Sequence, residues 1–294
     1  MSKNAVKHTD EETALAPITQ GTAVALRQSP SNVAIPDDMT ADFADVAGAG
    51  TENINTDVML VPEVKVLQKM SPAVDPDDAA YVKGAVPGMF YDNLNNRLFD
   101  GKEGITLVPV YYSHHFVEFI PITKGGGFVA DHGIDEDHSI RNDCEWNDET
   151  ASMLRKSNGN QIIETHQFVS MIAGPDGNAF PALVRFTGSK LKCGTKLNSL
   201  IKQKHMTLNG KRLPLPAFGA AYHLTTVATE NEKGKFYITN IEDKCPTHLI
   251  SDVGREVFAE GKDLYQGFRA GTTKAQGFEE TTAASVGEDK EIPF

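Results

Sequence analysis

Cysteine is scarce in this chain: three residues in 294, Cys144, Cys193 and Cys245, with no close pairing. That spacing excludes a disulfide framework and a CxxC metal knuckle, and it fits a reducing cytoplasm. Cys193 reads as a small buried hydrophobe. Long apolar runs are missing too, since no stretch approaches the roughly eighteen residues of a membrane span. Lys3 and Lys7 are followed by no apolar core, so no signal peptide is expected. The glycine loop Lys124–Gly127 lacks the second Gly-Lys-Ser/Thr of a phosphate cradle. No Ser or Cys occupies a nucleophile elbow, and there is no internal repeat. These absences predict a soluble cytoplasmic protein with no cofactor and no enzymatic activity.

Acid is missing where base is concentrated. The chain is acidic overall, with a formal net charge of −12. Yet from Gly177 to Thr229 there is no Asp or Glu, and the window carries +8, against −15 before it and −5 after it. The basic residues are Arg185, Lys190, Lys192, Lys196, Lys202, Lys204, Lys211 and Arg212. Lysines along a groove neutralise phosphates and release counterions, which supplies most sequence-independent affinity for nucleic acid. The bland alternative is a solvated lysine-rich helix face.

The chain divides by composition. Residues 1–56, rich in Ala, Thr, Ser, Asp and Pro, form a flexible acidic leader. A β-rich domain over 57–270 is expected next. In it, Val58–Gln68 reads as an edge strand and Gly88–Gly101 as a hairpin turning at Asn95-Asn96. Ile105–Pro121 reads as one bent strand or two consecutive ones. Residues 131–160 form a long polar excursion with a short helix at Glu149–Lys156. Hairpins are predicted around Gly174–Gly177 and Asn231–Gly234. Lys190–Met206 reads as a helix with Leu197, Leu200 and Ile201 at helical spacing, and Ser251–Phe268 as a helix capped by Ser251. Residues 271–294 are a linker and tail. The fold class is α+β, mainly antiparallel, and an OB-like barrel is the leading architecture.

Unpaired bases are held by stacking, so aromatics near the basic block are candidates. Tyr112, His114 and Phe116 share one face of a strand, and Tyr112, Phe116 and Phe186 are the chosen stacking residues. A competing cluster, Asp131, His132, Asp135 and His138, is a candidate divalent-metal site, as in a metal-dependent nucleic-acid enzyme. His114 and His115 face opposite ways on a strand and cannot chelate together.

The chain ends Glu288-Asp289-Lys290-Glu291-Ile292-Pro293-Phe294. Pro293 disfavours helix at Ile292 and keeps this end extended. The ending resembles the acidic tip of bacterial and phage single-stranded DNA-binding proteins, which close on Asp residues followed by Ile-Pro-Phe; Lys290 departs from that pattern. The resemblance implies single-stranded DNA as ligand, without strong sequence preference. It also implies docking of replication or recombination proteins through Asp289, Glu291, Ile292, Pro293 and Phe294, in a host cytoplasm if the gene is a phage's. Leader and tail acids could also occupy the basic groove until DNA displaces them. A structural or adaptor phage protein is the remaining alternative, and homo-oligomerisation is left open.

Overall fold

The computed structural model describes residues 36–47, 49–50, 61–148, 152–173, 179–231, 234–247 and 254–270. One 3-10 turn leads into α1 (Thr40–Asp45), which is exposed and lies inside the expected leader. A small antiparallel sheet follows: β1 (Val64–Val66), β2 (Phe90–Asp92) and β3 (Arg97–Phe99). Then come β4 (Ile105–Phe119), β5 (Phe128–Asp131), α2 (Ser139–Asn142), β6 (Cys144–Asn147), β7 (Ser152–Arg155), β8 (Gln161–Ala173) and β9 (Ala179–Thr187). The chain continues through α3 (Leu191–Gln203), β10 (His205–Leu208), β11 (Lys211–Pro214), β12 (Ala220–Asn231), β13 (Gly234–Pro246) and α4 (Gly254–Ala270). Among the described residues no helix is long and apolar enough to cross a membrane.

β4 and β8 pair antiparallel along almost their whole lengths, from Thr106 opposite Ala173 to Phe119 opposite Gln161. β9 extends the sheet beside β8, while the β12–β13 hairpin joins β4 at its start, at Ile105 to Leu107. One irregularity governs the faces. Pro109 pairs with Ser170 and Tyr111 with Val169, so Val110 is an extra residue. An inserted residue shifts side-chain alternation by one. Ile105 and Leu107 before the bulge therefore share a face with Tyr112 after it, where Tyr112 packs against Phe168 of the same core. Pro109 suits this break because it has no N–H to give to a ladder.

Each face of the large sheet is covered. On one side α3 and the small sheet enclose Leu107, Phe168, Phe186, Leu197 and Tyr222, all fully buried. Complete burial of such side chains stabilises by about 1.5–3 kcal/mol each. On the other, α4 lays Val257, Phe258 and Leu264 over Val108, Val110 and Met171. The sheet edges are blunted by single contacts. Leu183 on β9 donates its N–H to the Pro62 carbonyl at 2.7 Å. The Gln68 amide bonds both backbone groups of Tyr237 on β13, each at 2.9 Å.

The antiparallel α+β expectation holds, as do the hairpins at Asn95-Asn96 (Asn96 φ 53°), β8–β9 and β12–β13. The strand order β13-β12-β4-β8-β7-β6 is that of an open sheet, and among the described residues no pairing joins β13 to β6 to close an OB-type barrel. The helix expected at Glu149–Lys156 is corrected to strand over Ser152–Arg155, paired with β6. Ser251 and the Gly174–Gly177 turn lie outside the described residues.

Two local features make measurable demands. A Cβ on Gly194 would lie 2.9 Å from the His166 Cβ and 3.1 Å from that of Phe186, so α3 rests on the sheet through a bare backbone. Gly194→Ala is expected to lower stability by about 1–2 kcal/mol despite the better helix propensity, read from the urea midpoint. Glu118, 2 % exposed, accepts from Asn158, Asn160, Arg155 and His132 and so ties the polar excursion to the end of β4. Burial alone would raise its pKa, but these hydrogen bonds outweigh burial and hold it at about 2. A carboxylate depressed in the folded state adds stability above its ordinary pKa and loses it as pH falls toward the folded value. Between pH 5 and 2 the wild type should therefore lose on the order of 2 kcal/mol more than Glu118→Gln, measured by urea denaturation across that range.

Candidate nucleic-acid interface

The acid-free segment folds as an amphipathic helix followed by a projecting hairpin. Leu197 is buried, and Leu200 and Ile201 pack against the core, as their spacing predicts. Lys192, Lys196 and Lys202 lie on exposed positions of α3, with Lys190 in the turn before it. The helix expected to run to Met206 instead stops at Gln203, and β10 and β11 form a separate two-stranded sheet, all eight residues exposed. Asn209 (φ 51°) and Gly210 (φ 75°) supply the left-handed turn that a two-residue hairpin needs. The Asn-Gly pair between HMTL and KRLP was a readable hairpin signal that helical spacing overrode. Lys211 and Arg212 are carried outward on this hairpin, and an Arg212 guanidinium nitrogen lies 3.3 Å from His205 Nδ1.

Not every predicted cation reaches solvent for a ligand. Arg185 is corrected: its side chain is 6 % exposed and is engaged by Glu63 at 3.1 Å and Gln167 at 3.0 Å, so it is enclosed within the fold. Lys204 pairs with Asp243, and Lys196 donates to the Ile241 carbonyl at 2.7 Å. Lys190, Lys192, Lys202, Lys211 and Arg212 remain as the candidate phosphate-binding set.

The aromatic set is also sorted by burial. Phe116 and Phe186 are 0 % exposed and offer no open ring face, which corrects their assignment as base-stacking residues. Phe186 instead meets Phe168 edge-on at 5.7 Å, and the Arg141 guanidinium lies 4.8 Å from the Phe116 ring centroid. Tyr112 is 38 % exposed, its hydroxyl 3.3 Å from His166 Nδ1. Burial, the largest influence, raises the Tyr112 pKa and keeps the hydroxyl neutral. The sequence reading passed over Trp146, 58 % exposed on β6, although it is the chain's one tryptophan.

The four predicted metal ligands are spread over different contacts. Asp131 accepts from His115 at 2.7 Å and from the Gly133 N–H, and His132 holds Glu118. Asp135 accepts from the Ile140 and Arg141 N–H groups at the start of α2, and His138 precedes that helix at φ 59°. His114 and His115 diverge as expected, one to Glu164 and the other to Asp131. Among the described residues, the ligand-type atoms that converge are those of His114, Glu164 and His166, within 4.8 Å of one another. This grouping depends on the β4–β8 register, which no local pattern in the sequence states.

The tail residues Asp289, Glu291, Ile292, Pro293 and Phe294 lie outside the described residues. The family model of the Pam3 phage gp34-like protein matches residues 30–274, spanning α1 to α4 and stopping short of the Ile-Pro-Phe ending. No curated protein and no solved structure matches the chain. With most of its length so matched, the chain belongs to the Pam3 phage gp34-like protein family.

Proposed function

We propose that this protein binds single-stranded DNA without strong sequence preference and recruits replication or recombination partners through its C-terminal tail. The observation that carries the reading is the exposed β10–β11 hairpin, with Lys211 and Arg212, standing beside the lysines of α3 in a stretch free of acid. Phosphates bind along this surface by charge, and an exposed ring such as Tyr112 stacks a base. The acidic tail, with Ile292, Pro293 and Phe294 at its end, serves partners and competes with DNA for the same basic surface. Binding involves no turnover, and it takes place in the host cytoplasm of a phage-encoded protein.

Fluorescence anisotropy with labelled oligo-dT tests this, using the full chain, a chain lacking residues 288–294, and the latter with Lys211→Ala and Arg212→Ala. Affinity should fall steeply with salt and should rise on tail removal. The double variant should weaken binding about tenfold at low salt and reduce the salt slope by about 1.4, at roughly 0.7 per phosphate contact on a single strand. Absence of saturable binding by the tail-deleted chain at low salt overturns the reading. Unchanged affinity of the double variant removes the hairpin from the interface.

A further inference from the structure

A second place on the molecule gathers groups that the basic surface does not use. Beyond the Val110 bulge, β4 and β8 set His114 directly opposite His166, and Phe116 opposite Glu164. His114 Nε2 lies 2.9 Å from Glu164 Oε1, and the two imidazole rings are 4.9 Å apart. The three side chains bring one ligand-type atom each within 4.8 Å of the others. Two donors bound to one tetrahedral ion at roughly 2.0–2.2 Å lie about 3.4 Å apart, so modest side-chain rotation closes the present spread.

The surroundings also fit a held ligand. His166, 8 % exposed, has its Nδ1 contacted by Asn198 of α3 at 3.1 Å and by the Tyr112 hydroxyl at 3.3 Å. These contacts orient the ring from outside; with the Asn198 amide turned so that Oδ1 faces the ring, Nδ1–H donates to it and Nε2 is left for a metal, as partner groups commonly arrange for a metal-bound imidazole. Gly194, with no side chain, lets α3 approach closely enough for Asn198 to reach in. His114 and Glu164 are partly exposed, so the cluster has an entrance. One competing cation is present: Arg141, 3.2 Å from Glu164 Oε1, on a side chain 41 % exposed and able to swing away.

We propose that His114, Glu164 and His166 form a binding site for a divalent transition cation of the zinc or cobalt type, with Asn198 and Tyr112 as positioning residues. Two imidazoles and one carboxylate suit a borderline cation better than magnesium or calcium, which favour all-oxygen shells. Three protein ligands leave a coordination position for water or an anionic oxygen. The site shares Tyr112 with the single-stranded DNA reading but does not rest on it, and either can fail without the other.

The test is a Co²⁺ titration of chelator-stripped full-length protein, followed by visible absorption and competed with Zn²⁺. One equivalent should bind and be displaced by Zn²⁺ but not by equimolar Mg²⁺. His114→Ala and Glu164→Gln, each checked for an unchanged urea midpoint, should weaken Co²⁺ binding at least tenfold. Asn198→Ala should weaken it by about tenfold, the usual effect of losing a partner behind a ligand. Arg141→Ala should tighten it, an effect that damage to the fold would not produce. His132→Ala, outside the cluster, should leave it unchanged. Failure to take up Co²⁺ saturably, or uptake indifferent to His114→Ala and Glu164→Gln, overturns the proposal.

Discussion

The antiparallel ladder between β4 and β8 is the constraint on which the other features rest. It sets the axis of the large sheet, and its extra residue at Val110 decides which side chains meet which layer. Without that residue, Tyr112, His114 and Phe116 would face α4. With it, they join Ile105 and Leu107 on the side of α3. A one-residue irregularity in β4 thus brings Tyr112 and His114 to the face on which β8 presents Glu164 and His166. The same ladder carries Glu118 at its far end, where four donors fasten the polar excursion to the sheet.

Charge is distributed by layer as well as by sequence. Acid gathered around the ends of β4 and β8 is largely answered locally, by Arg155, His132 and Arg141. The basic segment has fewer local partners, and those it has, such as Asp243 and Glu63, come from distant parts of the chain. An acidic protein can in this way present a cationic surface, because binding responds to local potential and not to the net sum.

Much of the architecture was legible beforehand, and the failures have identifiable causes. Alternation marked β4, β8, β9, β12 and β13, and helical spacing marked the buried side of α3. The misreadings arose where two local signals competed. Lysines at helical spacing masked the Asn209-Gly210 turn, and polarity masked the short strands β6 and β7. Burial was the other failure: an aromatic such as Phe186 and a cation such as Arg185 look available in a string of letters. Only tertiary packing shows that one fills the core and the other is enclosed with Glu63. The His114, Glu164 and His166 grouping was illegible for a further reason, since it joins residues fifty positions apart through register alone.

Gln68 has a part in closing the outer edge of the large sheet. β13 ends the strand order of the large sheet, and an unpaired outer strand is a template for a strand from another molecule. At Tyr237 that template is filled by a side-chain amide, which imitates a peptide group in offering one donor and one acceptor. The imitation is local and reversible, unlike a full neighbouring strand. That stretch of the edge is filled from within the molecule, by Gln68 at Tyr237 and by Lys196 at the Ile241 carbonyl, and a strand from another molecule would first have to displace them.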